Sequence, residues 1–403
     1  MALDINHLRG TWNFPTTVWF GAGKILLLPR ACRELEIHRP LLVTDPGLAG
    51  LPMVTGAIDA NEEAGIATAL FSEIKSNPIG RNVSDGVAAL RAGDCDGVIA
   101  FGGGSSLDAG KSIALMAAQP LADAAGGLSL WDFEDGRKDW QRANAPLPVI
   151  AIPTTAGTGS ETGRSTVVLN EDTGVKIIIT HPQMLPRIVI ADPELTLGLP
   201  RDVTAATGMD ALAHCLEAYC SPFHNPMCDG VAVEGMRLIK EYLPTAVAEG
   251  GDLVARAQML AAASMGSTAF QKGLGAIHAM SHPVGAVYDT HHGLTNAVFM
   301  PYVLVHNRPA IEAKISRLSA YLKLSGQASD DAGGFRAFLD WTLELRRRFA
   351  IPHTLAELGV DADDLDRLAE MAAADPTAGA NPVPLDVPKL RLMFEDAFRG
   401  TLA

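Results

Sequence analysis

Positive charge is scarce in this chain. Lys and Arg number 32 against 46 Asp and Glu, a formal net charge of −14. A surface this acidic does not hold a phosphate backbone by bulk charge, so nucleic acid is excluded as an expected partner. Long apolar runs are missing as well. No stretch approaches the roughly 18 uninterrupted apolar residues of a membrane helix, so no membrane partner is expected. Met1 to Gly10 carries Asp4 and lacks the apolar centre of a secretory signal. Cysteines are few, and Cys32, Cys95, Cys215, Cys220 and Cys228 form no C-x-x-C pair. Their odd number, without a signal, predicts reduced thiols, and the spacings of the last three fit no zinc pattern. These absences leave a soluble, cytoplasmic, globular protein. Its 403 residues, 48% of them hydrophobic, hold material for two to three domains.

The first half alternates in texture. Pro40 to Thr44, Gly97 to Phe101, Leu147 to Ile152 and Arg187 to Ala191 are short apolar runs, each stopped by Gly, Pro or Asp-Pro. They lack polar alternation, as parallel strands covered on both faces do. Asn82 to Arg91 places apolar residues at helical spacing between two of them. Strand, helix and strand in repetition predict a parallel α/β sheet. Edge strands or hairpins are expected around Trp12 to Phe20 and Ser165 to Thr180. After Leu199-Pro200 the chain turns rich in Ala, Leu, Met and Glu. Helices are predicted over Ala205–Tyr219, Pro226–Leu243, Asp252–Phe270, Ala310–Leu324 and Gly334–Phe349, with a loop over 371–380. The expected division is an α/β domain over 1–198 and an all-helical domain over 199–403.

Gly102-Gly103-Gly104-Ser105-Ser106-Leu107-Asp108 follows a strand and opens a helix running through Lys111. Glycines let backbone approach a ligand closely, and a helix N-terminus offers free N–H groups to a phosphate. The turn holds no G-x-G-x-x-G, and a P-loop would need glycine where Ser105 stands. Thr154-Thr155-Ala156-Gly157-Thr158-Gly159 is a second small-residue turn after a strand. Asp45 ends an earlier strand, where a carboxylate either accepts from an adenosine ribose or makes an Asx turn before Pro46.

Four of the 11 histidines, His278, His282, His291 and His292, fall within 15 residues. Asp210 and His214 are four apart in a helical segment, hence on one face. His278 and His282 are also four apart, in the last turn expected before Pro283. One carboxylate with imidazoles, and no thiolate, is a set for Fe(II), Zn(II), Mn(II) or Co(II). Spacing alone does not choose between His278 and His282, or between His291 and His292. Gly293 marks a turn or a close approach.

Taken in order, these segments resemble the iron-containing (group III) alcohol dehydrogenase family. Gly208 to Tyr219 and Ala276 to Gly285, running on to His292-Gly293, resemble its two signatures. Phe101 to Lys111 and Pro153 to Glu161 resemble its nucleotide turns, and Asp192-Pro193-Glu194-Leu195 is similar to its domain junction. The resemblance runs from about Phe20 to Asn381-Pro382. It implies a dinucleotide-binding α/β domain followed by an all-helical domain, the fold shared with dehydroquinate synthase. It implies Asp210, His214, His278 and His292 as metal ligands, and His282 as a proton relay beside nicotinamide and substrate. Asp45 would meet the ribose of NAD, which disfavours NADP. Asn77, Gly103, Gly104, Ser105, Ser106 and Asp108 would surround the pyrophosphate, and Thr154, Thr155, Thr158 and Lys176 would touch the cofactor. Thr180-His181-Pro182 departs from the Val-Asp-Pro of many relatives. The full ligand set disfavours the metal-free maleylacetate reductase branch.

The activity so implied is hydride transfer between a small-molecule alcohol or aldehyde and NAD, with Fe2+ or alternatively Zn2+, in a homodimer or larger homo-oligomer. Two alternatives share the site: transhydrogenation between a hydroxy acid and an oxo acid with NAD retained, and a dehydroquinate synthase-like lyase. The lyase needs a basic phosphate pocket, and neither 205–220 nor 273–307 contains Lys or Arg.

Overall fold

The computed structural model describes residues 16–120, 127–324 and 330–402. Its chain divides into two compact units at the Leu199–Pro200 bond.

The first unit carries a six-stranded parallel sheet. Its elements are β1 (Thr17–Phe20), α1 (Leu28–Glu34), β2 (Pro40–Val43), α2 (Pro52–Glu63), β3 (Ala69–Phe71), α3 (Gly80–Ala92), β4 (Gly97–Gly102), α4 (Gly104–Ala117), β5 (Val149–Pro153), β6 (Ser165–Asn170), β7 (Val175–Thr180) and β8 (Ile188–Ala191). The strand order is β1-β8-β5-β4-β2-β3, and β6 and β7 form a separate antiparallel pair. Every residue of β2, β4, β5 and β8 is buried, which is why these runs show no polar alternation. In register, Leu42 faces Ile99 and Ile99 faces Ile150. These side chains join Leu28, Ala31 and Phe101 in one core. Each large aliphatic among them contributes about 1.5–3 kcal/mol. β1 is a parallel edge strand paired with β8, and Trp12 to Pro15, where the expected edge strand or hairpin begins, lie outside the described residues.

The order in which strands are added reverses between β2 and β4. From β2 the chain leaves toward β3, and from β4 it leaves toward β5. Ligands of open parallel sheets bind beyond the carboxyl ends of strands at such a switch point. The glycine turn after β4 and Thr44-Asp45 after β2 stand there.

The second unit is helical: α5 (Arg201–Cys220), α6 (Pro226–Ala248), α7 (Leu253–Ala269), α8 (Ala276–Tyr288), α9 (His292–Tyr321), α10 (Asp331–Arg348), α11 (Leu365–Ala374) and α12 (Val387–Arg399). Side-chain oxygens of Asn225, Asp252, Asp330 and Asp386 accept from the first turns of α6, α7, α10 and α12. α5 is buried from Thr204 to Cys220, so it is the central helix.

Three helix ends differ from the sequence reading, two of them, α8 and α9, because prolines are carried inside a helix. α8 continues past Pro283 to Tyr288. α9 starts at His292 rather than Ala310 and runs through Pro301 and Pro309. α11 takes the first part of 371–380 as helix, and a 3-10 turn over Pro376–Ala380 takes most of the rest. An internal proline costs a helix about 3 kcal/mol. Burial of His278 to Gly285 and of Thr295 to Leu304 on neighbouring helices outweighs that cost. No helix among the described residues is long and apolar enough to cross a membrane.

Candidate functional site

In the sheet unit the two small-residue turns lock together. Gly103 stands before α4 as its N-cap. A Cβ on Gly104 would lie 2.5 Å from Thr158 Oγ1, so glycine is required for the second turn to rest on the first. Thr154 N donates to Gly102 O at 2.9 Å. Thr155 comes close to Gly103. Ser105 Oγ donates to Ser76 O. Lys176 Nζ donates to Asn77 Oδ1 at 2.7 Å, which brings these two expected contacts together. Asp45 forms an Asx turn, its Oδ1 accepting from Gly47 N at 2.9 Å and Leu48 N at 3.2 Å.

Asp108 points inward. Ser160 Oγ donates to its Oδ1, and Val167 N donates to its Oδ2 at 2.9 Å. One turn later Lys111, fully buried, donates to the carbonyls of Ser160 at 2.9 Å, Gly163 at 3.3 Å and Ser165 at 2.7 Å. Burial holds its ammonium below the usual lysine value, and Asp108 and Glu161 restore part of that. These two side chains brace the turns. Two other buried hydroxyls, Thr44 Oγ1 and Ser106 Oγ, have no partner among the described residues. Thr44 directly follows strand β2 and Ser106 lies in the first turn of α4, where a dinucleotide would bring polar atoms to them.

In the helical unit, Asp210 and His214 occupy one face of α5, His278 lies in the first turn of α8, and His292 begins α9. Gly293 has a structural reason: a Cβ there would lie 2.4 Å from Ala206 O. That close approach of α9 to α5 sets His292 against Asp210. Asp210 Oδ1 is 3.9 Å from His214 Nε2, 4.0 Å from His278 Nε2 and 3.7 Å from His292 Nε2. One ligand atom from each of the four residues lies within 4.8 Å of all the others. A first-row ion at about 2.0–2.3 Å from tetrahedral donors needs donor separations of about 3.3–3.8 Å, close to those observed. Asp210, His214 and His278 are buried and His292 is partly exposed, so one side of the group is open.

The atoms also converge as acceptors. Asn296 Nδ2 is 2.7 Å from Asp210 Oδ1, 3.2 Å from His278 Nε2 and 3.1 Å from His292 Nε2. Three lone pairs aimed at one donor are a geometry that also suits a cation. The residues present therefore fit a divalent metal.

His282 is near the ligands without belonging to them. Its ring stacks on His292 with centroids 5.6 Å apart. His282 Nδ1 lies 2.7 Å from Asp375 Oδ2, and Asp375 Oδ1 accepts from Thr377 N at 2.8 Å. Burial pushes the Asp375 carboxyl up, but His282 and the Thr377 hydrogen bonds outweigh it and hold it below the usual carboxylate value. His291 is the N-cap of α9. Cys215 and Cys220 stand apart from the group, and burial pushes both thiols up to about 12, which makes them inert.

Three polar residues of the site were not singled out from the sequence. Glu217 lies seven residues after Asp210 and three after His214, so helical spacing could have found it. Asn296 follows His292 by one turn and was equally open to that reading. Asp375 is 93 residues from His282, and no local pattern links them.

Comparison with known proteins bears on the whole chain. A family model described as iron-containing alcohol dehydrogenase matches residues 15–193, and its C-terminal counterpart matches residues 204–398. The chain is 37% identical to a 4-hydroxybutyrate dehydrogenase of Cupriavidus necator, over 95% of this chain and 98% of that protein. It is 37% identical to a 1,3-propanediol dehydrogenase of Klebsiella pneumoniae, over 95% of this chain and 97% of that one. A crystal structure of 1,3-propanediol oxidoreductase superposes with a TM-score of 0.89 at 35% identity, covering 96% of this chain and all of that one. A sulfoacetaldehyde reductase from Bifidobacterium kashiwanohense, in complex with NAD+, superposes at 0.83 with 28% identity, over 96% of this chain and 98% of that one. With both units matched along their length, the chain belongs to the iron-containing alcohol dehydrogenase family.

Proposed function

We propose that this chain interconverts a small alcohol and its aldehyde with NAD, using a divalent metal held by Asp210, His214, His278 and His292, with Fe2+ preferred over Zn2+. The convergence of those four side chains on one point carries this reading. A divalent ion with one carboxylate and three neutral imidazoles keeps a net positive charge and, when bound, supplies Lewis-acid polarisation of the substrate oxygen.

The chain's own residues do the rest. His282 donates its Nδ1–H to the Asp375 carboxylate, so His282 Nε2 is the atom that exchanges a proton with the substrate hydroxyl, directly or through water. Gly103, Gly104, Ser105 and Ser106 hold the pyrophosphate at the N-terminus of α4. Thr154, Thr155, Thr158, Lys176 and Asn77 line the cofactor's path, and Asp108 braces their turns. Asp45, at the end of β2, accepts from the ribose and repels a 2′-phosphate, which favours NAD over NADP. Relatives named for diols, methanol, choline and hydroxybutyrate support a small alcohol as substrate class. Five unpaired cysteines support a reducing, cytoplasmic setting. Val18 and Phe20, exposed on the edge strand β1, support a homodimer or larger assembly.

The test is metal depletion and reconstitution without air. Fe(II) and Zn(II) are added separately, and NADH absorbance is followed with a panel of short alcohols and aldehydes. Activity should return with one ion and be lost in His278→Ala. Absence of metal binding would overturn the reading. Bound metal and NAD without any NADH change would favour transhydrogenation.

A further inference from the structure

The group of four ligands accounts for Asp210, His214, His278 and His292, but not for the carboxylate directly behind them. Glu217 follows His214 by three residues on α5 and is 6% exposed. A carboxylate this deep needs partners for both oxygens. Its Oε2 lies 2.6 Å from His278 Nδ1, and its Oε1 accepts from Ile277 N at 2.6 Å. Both partners sit in the first turn of α8, whose leading N–H groups have no partner within the helix. Ala276 N donates to Asn381 Oδ1 at 3.1 Å, so the helix start is held by two side chains from outside it. A carboxylate is also favoured at the positive end of a helix.

The consequence for His278 is directional. Its Nδ1 carries the proton given to Glu217, which leaves Nε2 as a lone pair facing the other ligand atoms. Asn296 Nδ2 at 3.2 Å from that Nε2 agrees with this tautomer. A carboxylate on the far nitrogen fixes the ring's rotation and makes the near nitrogen a stronger donor to a cation.

We propose that Glu217 is a positioning residue that sets the metal affinity of the site by orienting and polarising His278, a role distinct from its capping of α8. This rests on the metal-dependent reading given above. It predicts a change in metal binding itself, whatever substrate the enzyme takes.

The test is titration of the metal-free full-length protein with Co(II) and Zn(II) against a competing chelator. It compares wild type, Glu217→Gln and Asn381→Ala, with the Co(II) visible absorption recorded for each. Glu217→Gln keeps the shape and removes the charge; Asn381→Ala removes the cap on Ala276 N and the bonds to Asn307 and Val383 O, and touches no ligand. Glu217→Gln should bind about 10- to 100-fold more weakly, with a shifted Co(II) band. Asn381→Ala should bind within about twofold of wild type while melting at a lower temperature. Wild-type affinity and spectrum in Glu217→Gln would overturn the proposal. Equal weakening by Asn381→Ala would overturn it too, since the effect would then belong to helix seating. Should Glu217→Gln fail to fold, Glu217→Asp takes its place, a methylene short of Nδ1, under the same criteria. Failure of wild type to bind either ion would count against the metal reading and not against Glu217 alone.

Discussion

Asp375 closes on the inner nitrogen of His282. Nδ1 and Oδ2 are 2.7 Å apart, and the carboxylate is held from its other side by Thr377. A histidine so paired keeps its Nδ1 proton and offers Nε2 for exchange. Asp375→Asn is expected to lower kcat about 10- to 100-fold while leaving metal content and NAD affinity near wild type, because the amide can stabilise the wrong tautomer. Steady-state kinetics with metal analysis of the same samples checks this. Unchanged kcat would remove His282 from proton transfer.

The contact between Gly104 and Thr158 gives a second expectation. A methyl on Gly104 would meet Thr158 Oγ1 at 2.5 Å and its Cβ and Cγ2 at 3.0 Å. The threonine has no flexible end to move away, so the turns must part. Gly104→Ala should weaken NADH binding more than about tenfold and cost about 1–3 kcal/mol of stability. Fluorescence titration with NADH and urea unfolding measure the two effects. Tight NADH binding in the variant would place the cofactor elsewhere.

What the sequence could and could not reveal follows from the range of the interactions. Strands β2, β4, β5 and β8 are legible because burial on both faces writes an apolar run. β3, three residues long, writes no such run. Asp210 and His214 are legible as one helix face. Choosing His278 and His292 from the four clustered histidines required the family resemblance, because α8 crosses Pro283 and α9 begins at His292, and both ends are set by tertiary packing. Asp108 shows the limit most clearly. Its place in the glycine turn suggests a ligand contact, yet its carboxylate is engaged by Ser160 and Val167, more than 50 residues away.

Lys111 is the companion of that brace. One ammonium satisfies three carbonyls of the segment after the second turn, with Asp108 Oδ1 at 3.5 Å. Lys111→Met fills the same space, but it leaves those carbonyls without a donor and the Asp108 charge without a cation. It should cost about 3–5 kcal/mol. The loss of NADH affinity should accompany the loss of stability, since the segment that Lys111 pins follows directly on the Thr154–Thr158 turn. Chemical denaturation and NADH titration at matched temperature check both. A loss below about 1 kcal/mol would show that water replaces the ammonium.

Lys314 gives a pH dependence whose sign can be worked out. Burial lowers its ammonium from 10.5 to about 8, and the neighbouring Lys272 adds to this while Asp229 opposes it. The unfolded chain keeps the ordinary value. Below about pH 8 both states are protonated, and the folded state bears the full cost of the half-buried charge. Between about pH 8 and 10.5 the unfolded chain holds a proton that the folded chain has released, so stability rises with pH. Above that range the cost is gone. Lys314→Met removes the charge while keeping apolar contact with the Tyr219 ring, over which Nζ now sits at 5.0 Å. The variant should be more stable than wild type at pH 7 by about 1–2 kcal/mol, the full shift being discounted for partial exposure. That advantage should vanish by about pH 10.5. Buried Cys220 and Cys228, pushed up to about 12 and about 11, lower stability above pH 9 in both proteins, and because Cys220 feels the Lys314 charge the change between pH 7 and 9 is the part that reports Lys314. Urea midpoints of the pair at pH 7, 9 and 10.5 give the comparison. A difference that stays constant with pH would mean that Lys314 is charged throughout.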